Sequence, residues 1–263
     1  MIKNIKKANF YYKGRIKVDH KSENKILDYW KELKRKTSFL KESNILIVSN
    51  MTCNNDNYNI ELNETTFSHF MYSKKNQLGL TCMFSGAYVV TSDNYMVCVL
   101  NNYYSNEETF QILNLIGGIS DSCDIINCQY SSENCLKREF KEELGFDLDK
   151  DHFEIDLKYI KCPSADEKSF ACEIGLIYEI KTLYTKDELI ELFKISKHDD
   201  EITDLVFFSE ENYKTIYDFS HVKPLIPELI EKKFSEICIE NNKTHVKSKQ
   251  FKGVDPNERR KRV

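Results

Sequence analysis

Three glutamates carry the strongest constraint in this chain. Read as a helix, Arg138-Glu139-Phe140-Lys141-Glu142-Glu143-Leu144-Gly145-Phe146 places Glu139, Glu142 and Glu143 at i, i+3 and i+4, so three carboxylates share one face within side-chain reach of each other. Anions packed that closely repel unless a cation lies between them. A hard, oxygen-seeking Mg²⁺ or Mn²⁺ suits such a face, because it accepts a few carboxylates and keeps waters and phosphate oxygens as its other ligands. Arg138, four residues before Glu142, is placed to fix that carboxylate and leave Glu139 and Glu143 free. Phe140 and Leu144 face the other way and anchor the helix to a core. Ser131 or Ser132 can cap its start, and Gly145 can supply the left-handed residue that ends it. Of only eight glycines in the chain, Gly117, Gly118 and Gly145 belong to this unit.

The run REFKEELGF resembles the second half of the Nudix box, G-x5-E-x7-R-E-U-x-E-E-x-G-U with U an aliphatic or aromatic residue, and every fixed position from Arg138 to Phe146 matches. The first half departs from the pattern. The box sets its Arg fourteen positions after its Gly, whereas Arg138 follows Gly118 by twenty, so six extra residues lie in the loop. Counted back from Arg138, the first Glu of the box falls at Tyr130; it is missing, or is replaced by Asp121 or Asp124, with Glu133 the weaker candidate. The resemblance implies hydrolysis of a phosphoric anhydride with Mg²⁺ or Mn²⁺ held by Glu139, Glu142 and Glu143. It implies catalytic roles for Arg138, Glu139 and Glu142, and places Gly117, Gly118, Asp121 and Asp124 at the substrate. In many Nudix enzymes a Glu-aliphatic pair brings a further carboxylate to the metal site, and Glu201 in His198-Asp199-Asp200-Glu201-Ile202 matches it as ligand or base.

Composition narrows the setting. The 263 residues, 41% of them hydrophobic, suffice for a sizeable core, and a net charge of −4 gives no global field favouring nucleic acid or membrane. Nine cysteines show no CxxC pair and no zinc spacing, which reads as free thiols in a reducing compartment. The basic start MIKNIKKANFYYKGRIKV lacks the apolar stretch of a secretory signal, and no apolar run is long enough to span a bilayer. A cytoplasmic protein is expected. The basic end Arg259-Arg260-Lys261-Arg262 reads as a solvated, disordered tail; nuclear import and RNA contact are the readings it admits but does not favour.

Periodicity and turn residues predict helices over 22–36 (capped by Ser22), 64–74, 186–193 and 222–240, besides the carboxylate helix. They predict a hairpin of 44–51 with 58–62, then strands over 80–91, 95–100, 110–116, 153–161, 169–181 and 204–208, with a turn at Pro163 to Asp166. Tyr103 and Tyr104, at a strand end, are candidates for stacking on a base. The expected fold is α+β, an α/β/α sandwich with a mixed sheet between helices; the Nudix resemblance implies the same order. The resemblance implies an N-terminal extension over 1–76 (helix and β-hairpin), packed on the core, a Nudix hydrolase domain over 77–241 and a tail over 242–263. The extension, together with the lengthened loop, resembles the UDP-sugar pyrophosphatase branch of that superfamily. This implies UDP-glucose or UDP-galactose cleaved to UMP and sugar 1-phosphate, with ADP-ribose, a dinucleotide polyphosphate or capped RNA as alternative substrates. A nucleotide-binding module with little turnover is the alternative of another class. The resemblance also admits a homodimer.

Overall fold

A computed structural model describes residues 1–37, 40–104, 109–150, 152–163, 172–198, 201–213 and 226–235. The N-terminus forms two strands, β1 (Ile2–Asn4) and β2 (Lys7–Arg15), that the basic composition concealed. Helix α1 (His20–Lys36) follows. Its cap is Asp19, whose carboxylate accepts the backbone N–H groups of Lys21 and Ser22, so the expected cap Ser22 instead lies in the first turn and donates its hydroxyl to Asp19. Ile26 and Trp30 are its buried residues, and Trp30 meets Phe67 edge to face at 6.1 Å.

The predicted hairpin is β3 (Asn44–Asn54) with β4 (Asn57–Thr66), longer than expected, closed by Asn55 and Asp56, both at positive φ. Helix α2 (Phe67–Asn76) leads to β5 (Thr81–Val90), β6 (Met96–Tyr104), β7 (Thr109–Asn114) and β8 (Ile116–Ile119). After a 3₁₀ turn at Ser122–Asp124 come β9 (Ile125–Ile126), β10 (Gln129–Tyr130) and the carboxylate helix α3 (Ser132–Glu143). Strands β11 (Phe153–Lys161) and β12 (Cys172–Thr182), helix α4 (Lys186–Ile195) and β13 (Ile202–Phe208) complete the named elements. A further helical stretch covers 226–235, inside the expected 222–240; the rest of that range, the turn beyond Pro163, Asp199, Asp200 and the basic tail lie outside the described residues, as do the side chains of Tyr103 and Tyr104.

Strand pairing gives a mixed sheet with the path β1-β11-β12-β5-β3-β4-β2. Along β5, one edge carries parallel β12 over ten register pairs. The other edge carries β3, β8 and β6 in succession. The two ends of the path are consecutive in sequence. In a flat sheet β1 and β2 would lie six strand spacings apart, about 29 Å, yet the three Cα steps from Asn4 to Lys7 reach at most about 11 Å. The sheet therefore curls until β11 and β4 approach, and Ile5 N–H to Lys158 O (3.3 Å) with Lys6 N–H to Asp56 O (2.9 Å) stitch the seam.

The concave side holds the larger core, in which Leu46, Ile60, Met83, Ile160 and Leu176 of the sheet meet Leu136 and Phe140 of α3. The convex side packs Tyr88, Cys98 and Ile177 against Ile226, Leu229 and Phe234 of the 226–235 helix. Glu179, a buried carboxylate, joins that helix to the sheet by accepting from Lys233 and from Tyr88 Oη at 3.1 Å. Helices thus cover both faces of one mixed sheet, the α+β arrangement expected. No helix among the described residues is long and apolar enough to cross a membrane.

Candidate functional site

Helix α3 is seated by the residues predicted to seat it. Phe140 and Leu144 are 0% and 1% exposed, and each such side chain contributes about 2 kcal/mol of burial. Ser131 is the N-cap and accepts from Asn134 N–H at 3.2 Å. Gly145 ends the helix at φ +71°, with Lys197 O only 2.7 Å from where a Cβ would stand.

At the other end of the site, Gly117 has φ +136°, and a Cβ there would fall 2.2 Å from Ser85 O. Both glycines of the pair are set against α3 carboxylates. Gly117 N–H donates to Glu143 Oε2 at 2.8 Å, while a Cβ on Gly118 would lie 2.5 Å from the Glu139 carboxylate. A side chain on Gly118 would push the strand off the helix, and one on Gly117 would push it off β5.

The loop after Gly118 is built around Asp124. Asp121 caps the 3₁₀ turn by accepting Cys123 N–H (3.1 Å), and Asp124 Oδ2 accepts Asp121 N–H in return (2.8 Å). The buried Asp124 carboxylate then receives a two-point grip from Arg138, Nε to Oδ1 at 3.1 Å and Nη2 to Oδ2 at 3.2 Å. Arg138 Nη1 also donates to Glu139 Oε1 (2.7 Å) and Glu142 Oε2 (3.3 Å), and Nη2 reaches Ile119 O (3.4 Å). The expectation that Arg138 fixes Glu142 alone is corrected, because Glu139 shares the guanidinium and Glu143 is bonded to Gly117.

Asp124, of the two aspartates weighed as replacements for the box Glu, is the one that pairs with Arg138. The missed signal is a forward count: five residues separate Gly118 from Asp124, the spacing of the box, and the six-residue excess is the hairpin of residues 125–130 that follows. Glu133 is excluded from that place, since it pairs with Lys137 at 2.9 Å on the outer side of α3. Asp124, expected at the substrate, has both oxygens engaged by the protein, and Asp121 is likewise turned to its own loop.

Electrostatics separate the three glutamates. Burial pushes the Glu139 carboxyl up to about 7, against the pull of Arg138, with Glu142 and Asp124 adding to the rise. Burial pulls the Arg138 guanidinium down, but Asp124 and Glu139 more than reverse it and hold it above its ordinary value. Glu143 is 4% exposed, whereas the Glu142 side chain is 54% exposed. Glu201 lies at the solvent edge one residue before β13, its carbonyl accepting Asn102 N–H at 3.1 Å. Ser196, just past α4, donates its Oγ to Leu144 O at the end of α3 at 2.6 Å.

The donor set is all oxygen, and Glu139 remains under-compensated beside its one cation, which fits a hard divalent ion by chemistry. Among the described residues, no group of three acidic, histidine or cysteine side chains is gathered closely enough to hold one. Arg138 and Gly117 each engage one oxygen of these carboxylates, at Glu139 Oε1, Glu142 Oε2 and Glu143 Oε2.

No family model and no curated protein matches the chain. Solved structures with a similar fold include a NUDIX hydrolase from Nitrosomonas europaea, 17% identical, covering 59% of this chain and 90% of that one with a TM-score of 0.42. The NUDIX domain of Shewanella oneidensis NrtR complexed with ADP ribose is 12% identical, covering 60% and 88% with a TM-score of 0.40. A MutT protein from Methanosarcina mazei is 15% identical, covering 59% and 94% with a TM-score of 0.38. At these identities and scores, the chemistry of the site is left to its own residues.

Proposed function

We propose that this chain is a metal-dependent hydrolase of the Nudix superfamily that cleaves the diphosphate linkage of a nucleoside diphosphate derivative. The observation that carries the reading is the link Asp124–Arg138–Glu139/Glu142. A box that looks broken in sequence has a buried carboxylate at its Gly-x5 position, gripping the arginine of the carboxylate helix.

Glu139, Glu142 and Glu143 would hold Mg²⁺ or Mn²⁺, which when bound supplies charge neutralisation to the diphosphate and acidifies a water. Arg138 sets the rotamers of Glu139 and Glu142, and its own position is fixed by Asp124. The absence of side chains at Gly117 and Gly118 lets β8 lie directly against the Glu139 and Glu143 carboxylates. Burial raises the Glu139 carboxyl, so a neighbouring divalent cation would be favoured as the partner of its charged form. Glu201, one residue before β13, is a further candidate base or ligand.

The favoured substrate is a UDP-sugar, supported by the N-terminal extension and the lengthened loop. The test is to incubate the purified chain and Mg²⁺ with UDP-glucose, ADP-ribose, a dinucleotide polyphosphate and capped RNA, following products by mass. UMP and glucose 1-phosphate are expected from the first. Unchanged UDP-glucose beside a cleaved alternative would replace the substrate but keep the chemistry; an inert panel would move the chain to a binding role.

A further inference from the structure

The hairpin that lengthens the loop contains a buried polar group that the proposed reaction does not use. It begins directly after Asp124 and ends directly before Ser131, the cap of α3, and its central residues Asn127 and Cys128 both have positive φ, as a tight type I′ turn requires. Ser131 N–H donates to Asp124 O at 3.2 Å across its base, so six inserted residues add almost no separation between Asp124 and the helix.

The last of the six, Tyr130, turns inward. It is 6% exposed, and its hydroxyl shares hydrogen bonds with Ser120 Oγ (2.5 Å) and Ser85 Oγ (3.4 Å), both serines fully buried. A buried hydroxyl is costly unless bonded, and this one is bonded to two buried serines that would lose it in a phenylalanine variant, so it acts as a directional tie. What it ties is the site loop. Ser120 is held between strands by Ser120 N–H to Met83 O and Leu46 N–H to Ser120 O, each 2.9 Å, and it immediately precedes Asp121 and the turn that presents Asp124. Behind the ring, Phe10 of β2 packs edge to face at 4.7 Å.

We propose that Tyr130 is a positioning residue: its hydroxyl locks the Gly118–Asp124 loop to the start of α3, so that Asp124 meets Arg138 and Arg138 in turn aims Glu139. The consequence for catalysis rests on the hydrolase reading above; the locking itself does not. Cys135 reports on it, since this fully buried thiol lies 3.8 Å from Gly118 O and 3.7 Å from Arg138 Nη2, within the joint between loop and helix.

The experiment compares the wild type with Tyr130→Phe, which keeps the ring and its contact with Phe10. Labelling by a thiol reagent is resolved by mass at Cys135 and at the buried controls Cys82 and Cys98. Cys135 is expected to react about tenfold faster, the equivalent of one net hydrogen bond, with both controls unchanged. On whichever substrate the panel identifies, kcat is expected to fall about tenfold with KM unchanged. Unaltered Cys135 protection, acceleration at all three cysteines together, or faster Cys135 labelling with undiminished kcat would each overturn the proposal. Should the wild type hydrolyse nothing, the hydrolase reading fails while the labelling still decides whether Tyr130 locks the joint.

Discussion

Arg138 illustrates how one side chain can hold a site together, because its guanidinium serves Asp124, Glu139, Glu142 and the Ile119 carbonyl at once. Asp124→Asn keeps the shape but removes the charge, leaving a partly buried cation under-compensated. A loss of about 3 kcal/mol is expected, read as a lower denaturation midpoint in urea; an unchanged midpoint would contradict the pairing. Glu142→Gln is the opposite case. Its side chain is largely exposed, so stability should stay within about 0.5 kcal/mol while turnover drops at least ~100-fold, measured by melting and by steady-state kinetics on one preparation. Gly118→Ala drives a methyl into the Glu139 carboxylate; kcat should fall at least tenfold, about 1.4 kcal/mol of barrier, and full activity would mean that Glu139 has room to spare. The three glutamates and Arg138 were legible in the sequence because a helix fixes their spacing. Their hydrogen bonds were not, since Arg138 can reach several carboxylates and only the tertiary approach of β8 takes Glu143 to Gly117. Asp124 was legible in principle, and was obscured because a count backward from Arg138 crosses the inserted hairpin.

Helix α3 shows why activity and stability separate at the scale of an element. Its carboxylates lie on the face toward β8 and solvent, while Leu136 and Phe140 fill the concave core. Phe140→Ala should cost about 4 kcal/mol, seen in chemical denaturation, in contrast to the near-silent Glu142→Gln. Equal destabilisation by the two would contradict this division of faces. Elements with strong periodicity were readable: α3, α4 and β11 lie where the apolar spacing puts them. β2 was not, because KANFYYKGR on the end of a sheet has half-buried rather than fully buried side chains and carries lysine and arginine on its exposed positions. The cap of α1 was misread for a related reason, as Asp19 and Ser22 are both competent caps and local sequence does not rank them.

For the whole molecule, the closing of the sheet is the feature least available to sequence, since β1–β11 and β2–β4 are long-range pairings joined by two residues. The N-terminal segment is consequently part of the wall around the core, with Ile2 N–H also held by Glu228 at 2.9 Å from the opposite end of the chain. Deleting residues 1–16 should lower the melting temperature by more than about 10 °C; a truncated chain that melts like the wild type would mean that the seam contributes little. The central claim, that the carboxylate face of α3 holds a divalent cation, is tested most directly by titrating Mn²⁺ into the full chain and following the free ion by electron paramagnetic resonance. The wild type should take up about one tightly held ion or a close pair, and the Glu139→Gln/Glu142→Gln double variant, folded as judged by its melting curve, should lose that binding. Equal uptake by both proteins, or none by the wild type, would contradict it.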